Sequence, residues 1–125
     1  MSIPNKKSML ILPAQVVAAV ILLMAALMKF QGAPASILVF AELGMEPFGR
    51  YLVAVIELGA GLLLLSPYAA IGALFGVSVM MGAIIAHGTY LGIEVEGDGG
   101  RLFMMLIVVF VCSGYVLLTR RSELP

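Results

Sequence analysis

The sequence predicts an all-α fold, an integral membrane four-helix bundle, on three observations. The chain of 125 residues is 62% hydrophobic and 11% charged, with a mean hydropathy of +1.15, whereas soluble domains carry about a quarter charged residues. Its apolar residues gather into four stretches, each close to the roughly 20 residues that cross a bilayer. The connections are too short for a separate soluble domain, so residues 1–125 read as one transmembrane domain.

The first span covers about residues 8–30, opened by Lys6 and Lys7, with Pro13 in its first turn, where proline is tolerated. Its apolar core exceeds the roughly 7–15 residues of a signal peptide, so it is expected to persist as a span. The second covers about 50–66 and turns at Ser66-Pro67; the third covers about 69–91 and stops at Gly92; the fourth covers about 101–119 and closes on Arg120 and Arg121. Between the first two, "ASILVFAELGM" is apolar enough for a short helix lying at the membrane surface.

Orientation follows from the flanking charges. Lys6, Lys7, Arg120 and Arg121 share one side, while the loops 31–49 and 92–100 carry Glu42, Glu46, Glu94, Glu96 and Asp98 on the other. Basic flanks face the cytoplasm, which predicts an N-in, C-in, multi-pass protein with its acidic loops outside.

Several function classes drop out. A net charge of zero with scattered basic residues gives no nucleic-acid surface. Cys112, the one cysteine, excludes an intramolecular disulfide and reads as packing. The nine methionines are scattered and read as gap fillers. With one histidine and no HExxH there is no metal site to expect, and no nucleophile–base set is visible, so the chain is not expected to be catalytic alone. The "EVEGDGG" loop lacks calcium-loop spacing and reads as a solvated turn.

The residue that needs explaining is Glu57, a carboxylate within "VAVIELGAGLLLL". At about 1.5 Å of rise per residue it lies roughly 10 Å below the outer end of the second span, and His87 lies roughly 6 Å below that of the third. Lys29, Arg50 and Arg101 sit at the same outer boundary. Helical periodicity turns Arg50, Ala54, Glu57 and Gly61 to one side of the second span and Gly72, Gly76, Ala83 and His87 to one side of the third. The first span presents Gln15, Ala18, Leu22, Ala25 and Lys29, and the fourth Arg101, Met105, Val108 and Cys112. Glu57 is therefore expected to be neutralised or paired by His87, Lys29, Arg50 or Arg101, with His87 the first choice. These five residues are the candidate ligand-binding or proton-handling group.

The segments "LMKF", "LGMEPFGRYLVAVIELGAGLLLL" and "GAIIAHGTYLG" resemble those of the DoxX-like family of small bacterial membrane proteins, over about residues 26–92. The resemblance implies a four-helix bundle in the bacterial inner membrane, with Lys29, Glu57 and His87 matching the family's recurring polar residues. It also implies a redox-accessory role, since some relatives are subunits of quinone-linked oxidoreductase complexes. No redox cofactor site is visible in the residues, so electron transfer would need a partner protein or a diffusible quinone.

Two readings result. In the first, an accessory subunit of a redox complex holds a small apolar ligand, such as a quinone, near Glu57 and His87 in the outer half of the bundle. In the second, a small proton-coupled transporter uses Glu57, which in a four-helix chain usually requires a homodimer. The absence of tryptophan removes the usual cation platform and favours the first. Its expected partners are the lipid bilayer and a membrane redox protein.

Overall fold

The computed structural model describes residues 6–95 and 97–125, so Glu96 lies outside the described residues. Five α-helices follow one another: α1 (Lys6–Gln31), α2 (Pro34–Glu42), α3 (Phe48–Leu64), α4 (Ala69–Ala86) and α5 (Arg101–Arg120). A widened π-helical turn, His87–Leu91, extends α4, and a short 3-10 turn, Arg121–Glu123, ends α5. No strand occurs among the described residues. The four expected long helices and the short one between the first two are all present, with shifts of a few residues at their ends.

Among the described residues, three stretches are long and apolar enough to cross a membrane: Met9–Gln31, Ala69–Leu91 and Arg101–Glu123. At 17 residues α3 is shorter, about 25 Å at 1.5 Å per residue, the low end of what spans a hydrocarbon core. Pro13 lies inside α1 rather than in its first turn. It is exposed, and its missing N–H leaves the carbonyl four residues earlier without an intrahelical donor.

α1 packs on α3 and α5, and α4 packs on the same two, so the long helices close into a ring. Neighbours run antiparallel. Gln15, near the start of α1, donates through Nε2 to the Leu64 carbonyl at the end of α3 (2.7 Å) and accepts from Arg120 Nε at the end of α5 (3.1 Å). The core is built mainly from small and branched residues, Ala18, Ala19, Leu22, Ala60, Leu64, Ala73, Val109 and Val116 among them, with the unbranched Met80. The expected stripe of the second span is buried throughout, at Arg50, Ala54, Glu57 and Gly61 of α3; those of the third and first are buried at Gly72, Gly76 and His87 and at Gln15, Ala18 and Leu22, with Ala83, Ala25 and Lys29 half-buried. On α5 the stripe is displaced by one residue, about 100° of helix. Its buried residues are Val109, Ser113 and Val116 rather than Val108 and Cys112. Ser113 wins because a small side chain is needed there: a Cβ on Gly76 would lie 2.9 Å from its Oγ.

The loop before α5 is organised by Asp98, which accepts backbone N–H bonds from Gly100 (2.8 Å), Leu102 (3.0 Å) and Val95 (3.2 Å). The Leu102 and Gly100 amides, with Arg101 nearby, hold its carboxyl below the usual carboxylate range. A lowered folded-state pKa means the carboxylate stabilises the loop at neutral pH and loses that effect only as pH falls through the lowered value. Asp98→Asn is expected to speed amide hydrogen exchange at Gly100 and Leu102 at pH 7 without altering exchange at Leu64, in the core at the other end. Unchanged exchange at both amides would show that the cap does not hold the loop.

Candidate functional site

A cavity of about 640 Å³ occupies the half of the ring where α1 and α4 end and α3 and α5 begin. Its walls are mainly apolar, from Leu22 and Met28 on α1, Met80 on α4 and Leu106 and Val109 on α5. α2 closes one side with Val39 and the buried Phe40, and the loop before α5 adds Val95 and Asp98. Four of the five candidate residues reach this cavity: Lys29, Glu57, His87 and Arg101.

Glu57 is 2% exposed, and its Oε1 lies 2.9 Å from Nζ of Lys29. The partner of the carboxylate is thus Lys29 and not His87. The reason lies in reach and in competition. α1 and α3 are direct neighbours, and the long lysine stem runs from the last turn of α1 across to the middle of α3. His87 is engaged elsewhere: its Nδ1 lies 2.9 Å from the Ala83 carbonyl one turn back. A carbonyl oxygen can only accept, so Nδ1 carries the proton. The other ring nitrogen, Nε2, is buried and makes no hydrogen bond. Phe103 of α5 flanks the ring, with centroids 5.6 Å apart and planes tilted by 49°.

Arg50 does not reach Glu57 either. Its Nε lies 3.0 and 2.9 Å from the two carboxylate oxygens of Glu46, its Nη2 lies 2.9 Å from Glu46 Oε1, and its Nη1 donates to the Lys29 backbone carbonyl. The guanidinium also stacks on Tyr51, 4.5 Å from the ring centroid. Arg50 therefore ties the end of α1 to the start of α3 and fixes the turn that carries Lys29. It positions the ion pair and does not join it. The Glu46–Arg50 spacing of four is the sequence signal that could have revealed this. Arg101 is exposed, at the start of α5 on the cavity's rim.

Cys112 is half-buried against the core, as packing would have it. Among the described residues no three His, Cys, Asp or Glu side chains come together in a metal-ligand group. Ser113, fully buried with no hydrogen bond to its Oγ, is the buried polar residue that the expected stripe of the fourth span does not include.

Comparison with protein-family models, curated proteins and solved structures finds no match to the chain. The site's chemistry must therefore be read from its geometry. It joins a large apolar volume, a buried ammonium–carboxylate pair and an imidazole with one nitrogen unengaged. Such a site can enclose an apolar molecule and hydrogen-bond its polar end.

Proposed function

We propose that the chain is a four-helix integral membrane protein, N-in and C-in, whose outer-half cavity holds a small apolar molecule by its polar end. The observation that carries this reading is the 640 Å³ cavity with Lys29, Glu57 and His87 on its wall. That volume lies in the range of about 300–1,000 Å³ typical of small-molecule sites. Membrane placement is supported by the three long apolar stretches and by the large hydrophobic residues turned outward on every long helix, among them Leu27, Leu52, Ile85 and Leu118. A soluble protein would leave no such girdle exposed. The short α3 fits a bilayer that thins locally or neighbours that tilt.

The accessory role in a quinone-linked redox complex of the bacterial inner membrane rests on the resemblance to the DoxX-like family. Quinone is the cofactor-like ligand it suggests, and a membrane redox protein the partner. The geometry favours holding over proton-coupled transport, because the carboxylate a transporter would use is already engaged by Lys29.

Two experiments test this. The protein is extracted with its surrounding lipid in polymer discs and the extract analysed for apolar small molecules. About one quinone or similar molecule per chain is expected; recovery of bulk phospholipid alone would overturn the reading. In sealed vesicles the protein is expected to carry no substrate-driven proton flux, and such flux would favour transport. Topology is checked separately. A cysteine at the exposed position 42, in a Cys112→Ala background, is expected to react with a membrane-impermeant thiol reagent applied to intact spheroplasts. Labelling only after lysis would reverse the orientation.

A further inference from the structure

We propose that the cavity selects a lipid-soluble molecule bearing a hydroxyl group, which arrives sideways between the outer halves of α1 and α5 and donates its O–H to Nε2 of His87. This rests on the reading of the cavity as a ligand site and names the chemistry of what it takes.

The hydrogen-bonding inventory fixes the polarity of the contact. His87 is 4% exposed and lines the cavity, and its Nδ1–H is committed to the Ala83 carbonyl. In its neutral form the ring then has only the Nε2 lone pair to offer, an acceptor. That lone pair has no donor from the protein, and a buried acceptor left unmatched is destabilising by about 1–3 kcal/mol. An occupant that supplies an O–H relieves this, whereas a ketone or ether presents a second acceptor to the first. Of a quinone and its reduced quinol, only the quinol has the group that matches Nε2 of His87.

The direction of access follows from which sides of α1 and α5 line the cavity. On α1, Ala19 and Leu23 face Gly61 of α3. At about 100° per residue, the lining residues Ile21, Ala25 and Met28 fall on the opposite side of the inward-facing Leu22, turned away from α3. Met28 and its lining neighbour Met24 are 47% and 52% exposed, so the cavity wall continues onto the outer surface. On α5, Ser113 and Phe103 face α4, and the lining residues Met105 and Arg101 lie on the other side, toward α1. Among the described residues, a side-chain hydrogen bond from Arg120 to Gln15 joins α5 to α1 at the far end. The cavity's α1–α5 side is therefore walled by largely apolar helix faces, which in the proposed membrane placement meet lipid and not water.

The probes are para-hexylphenol and its methyl ether, which share a body and differ in the O–H. The chain has one histidine, so protein labelled with ¹⁵N-histidine reports on His87 alone. In lipid nanodiscs, with concentrations referred to the lipid phase, the phenol is expected to bind about fivefold to tenfold tighter than the ether, the worth of one net hydrogen bond. The phenol, and not the ether, should shift the unprotonated ring nitrogen. His87→Phe, which keeps a ring beside Phe103, should remove the preference while the ether still binds. Met24→Trp, on that α1–α5 side, should slow association of both probes. Equal binding with an unmoved nitrogen, a preference that survives in His87→Phe, or association unaffected by Met24→Trp would each overturn the inference while leaving a cavity that binds. Failure of both probes to bind the wild-type protein would overturn the ligand-site reading as well.

Discussion

Lys29→Met is expected to destabilise the protein by about 3 kcal/mol, the cost of leaving a buried charge without its partner. Glu57, with 2% of its side chain exposed and Lys29 Nζ 2.9 Å from Oε1, would be left buried without its counter-charge. Glu57→Leu should be milder. The Lys29 side chain is 17% exposed at the end of α1, and its flexible stem lets the ammonium swing out to the interface when the carboxylate goes. The double variant Lys29→Met/Glu57→Leu should recover most of the loss, because replacing a buried ion pair by apolar residues of similar volume is often neutral. Denaturant titration of the four proteins in one detergent measures the coupling. Additive losses in the double variant would show that the 2.9 Å contact contributes no coupling. Equal losses in the two single variants would show that Lys29 is as trapped as Glu57. Arg50→Ala should weaken the same pair indirectly, since it frees the Lys29 carbonyl and the turn that aims the ammonium.

The sequence makes the helices legible because apolar length, glycine and proline breaks and charge placement all act locally. The stripe carrying Glu57 was equally readable, since one helix face is a matter of period alone. Partner choice was not. Lys29, Arg50, Arg101 and His87 lie at one depth, and depth says nothing about which side chain crosses to which. That depends on helix adjacency, with α1 beside α3, and on local competition. The Ala83 carbonyl claims His87 Nδ1 and Glu46 claims Arg50, which leaves Lys29 for Glu57. The displaced stripe on α5 has a similar cause. Its residues are almost uniformly apolar, so period alone could not fix its facing, and the contact of Ser113 with Gly76 did. The cavity itself has no sequence signature, being the space left where the ends of four helices do not fill the ring.

The second large effect is expected at Gly72, where α4 crosses α3. A Cβ there would stand 2.7 Å from the Leu64 backbone nitrogen and 2.8 Å from the Ala60 carbonyl oxygen. Both belong to the hydrogen-bonded backbone of α3, which cannot rotate away as a side chain can, so Gly72→Ala must push the two helices apart. Overpacking typically costs about 1–3 kcal/mol, and a clash with backbone places this substitution at the upper end. Gly76→Ala meets mainly Ser113 Oγ at 2.9 Å, a side-chain atom free to turn, and should lose about 1 kcal/mol or less. Gly82→Ala, with nothing within 4 Å, should gain up to about 1 kcal/mol from helix propensity. At Gly76, leucine should cost more than it does at the half-buried neighbour Val77, about 100° away on the helix. The order Gly72, Gly76, Gly82 in loss of stability against denaturant is the result to measure. A Gly72→Ala protein as stable as Gly82→Ala would mean that α3 and α4 do not approach at this crossing, and the ring that encloses the cavity would have to be redrawn.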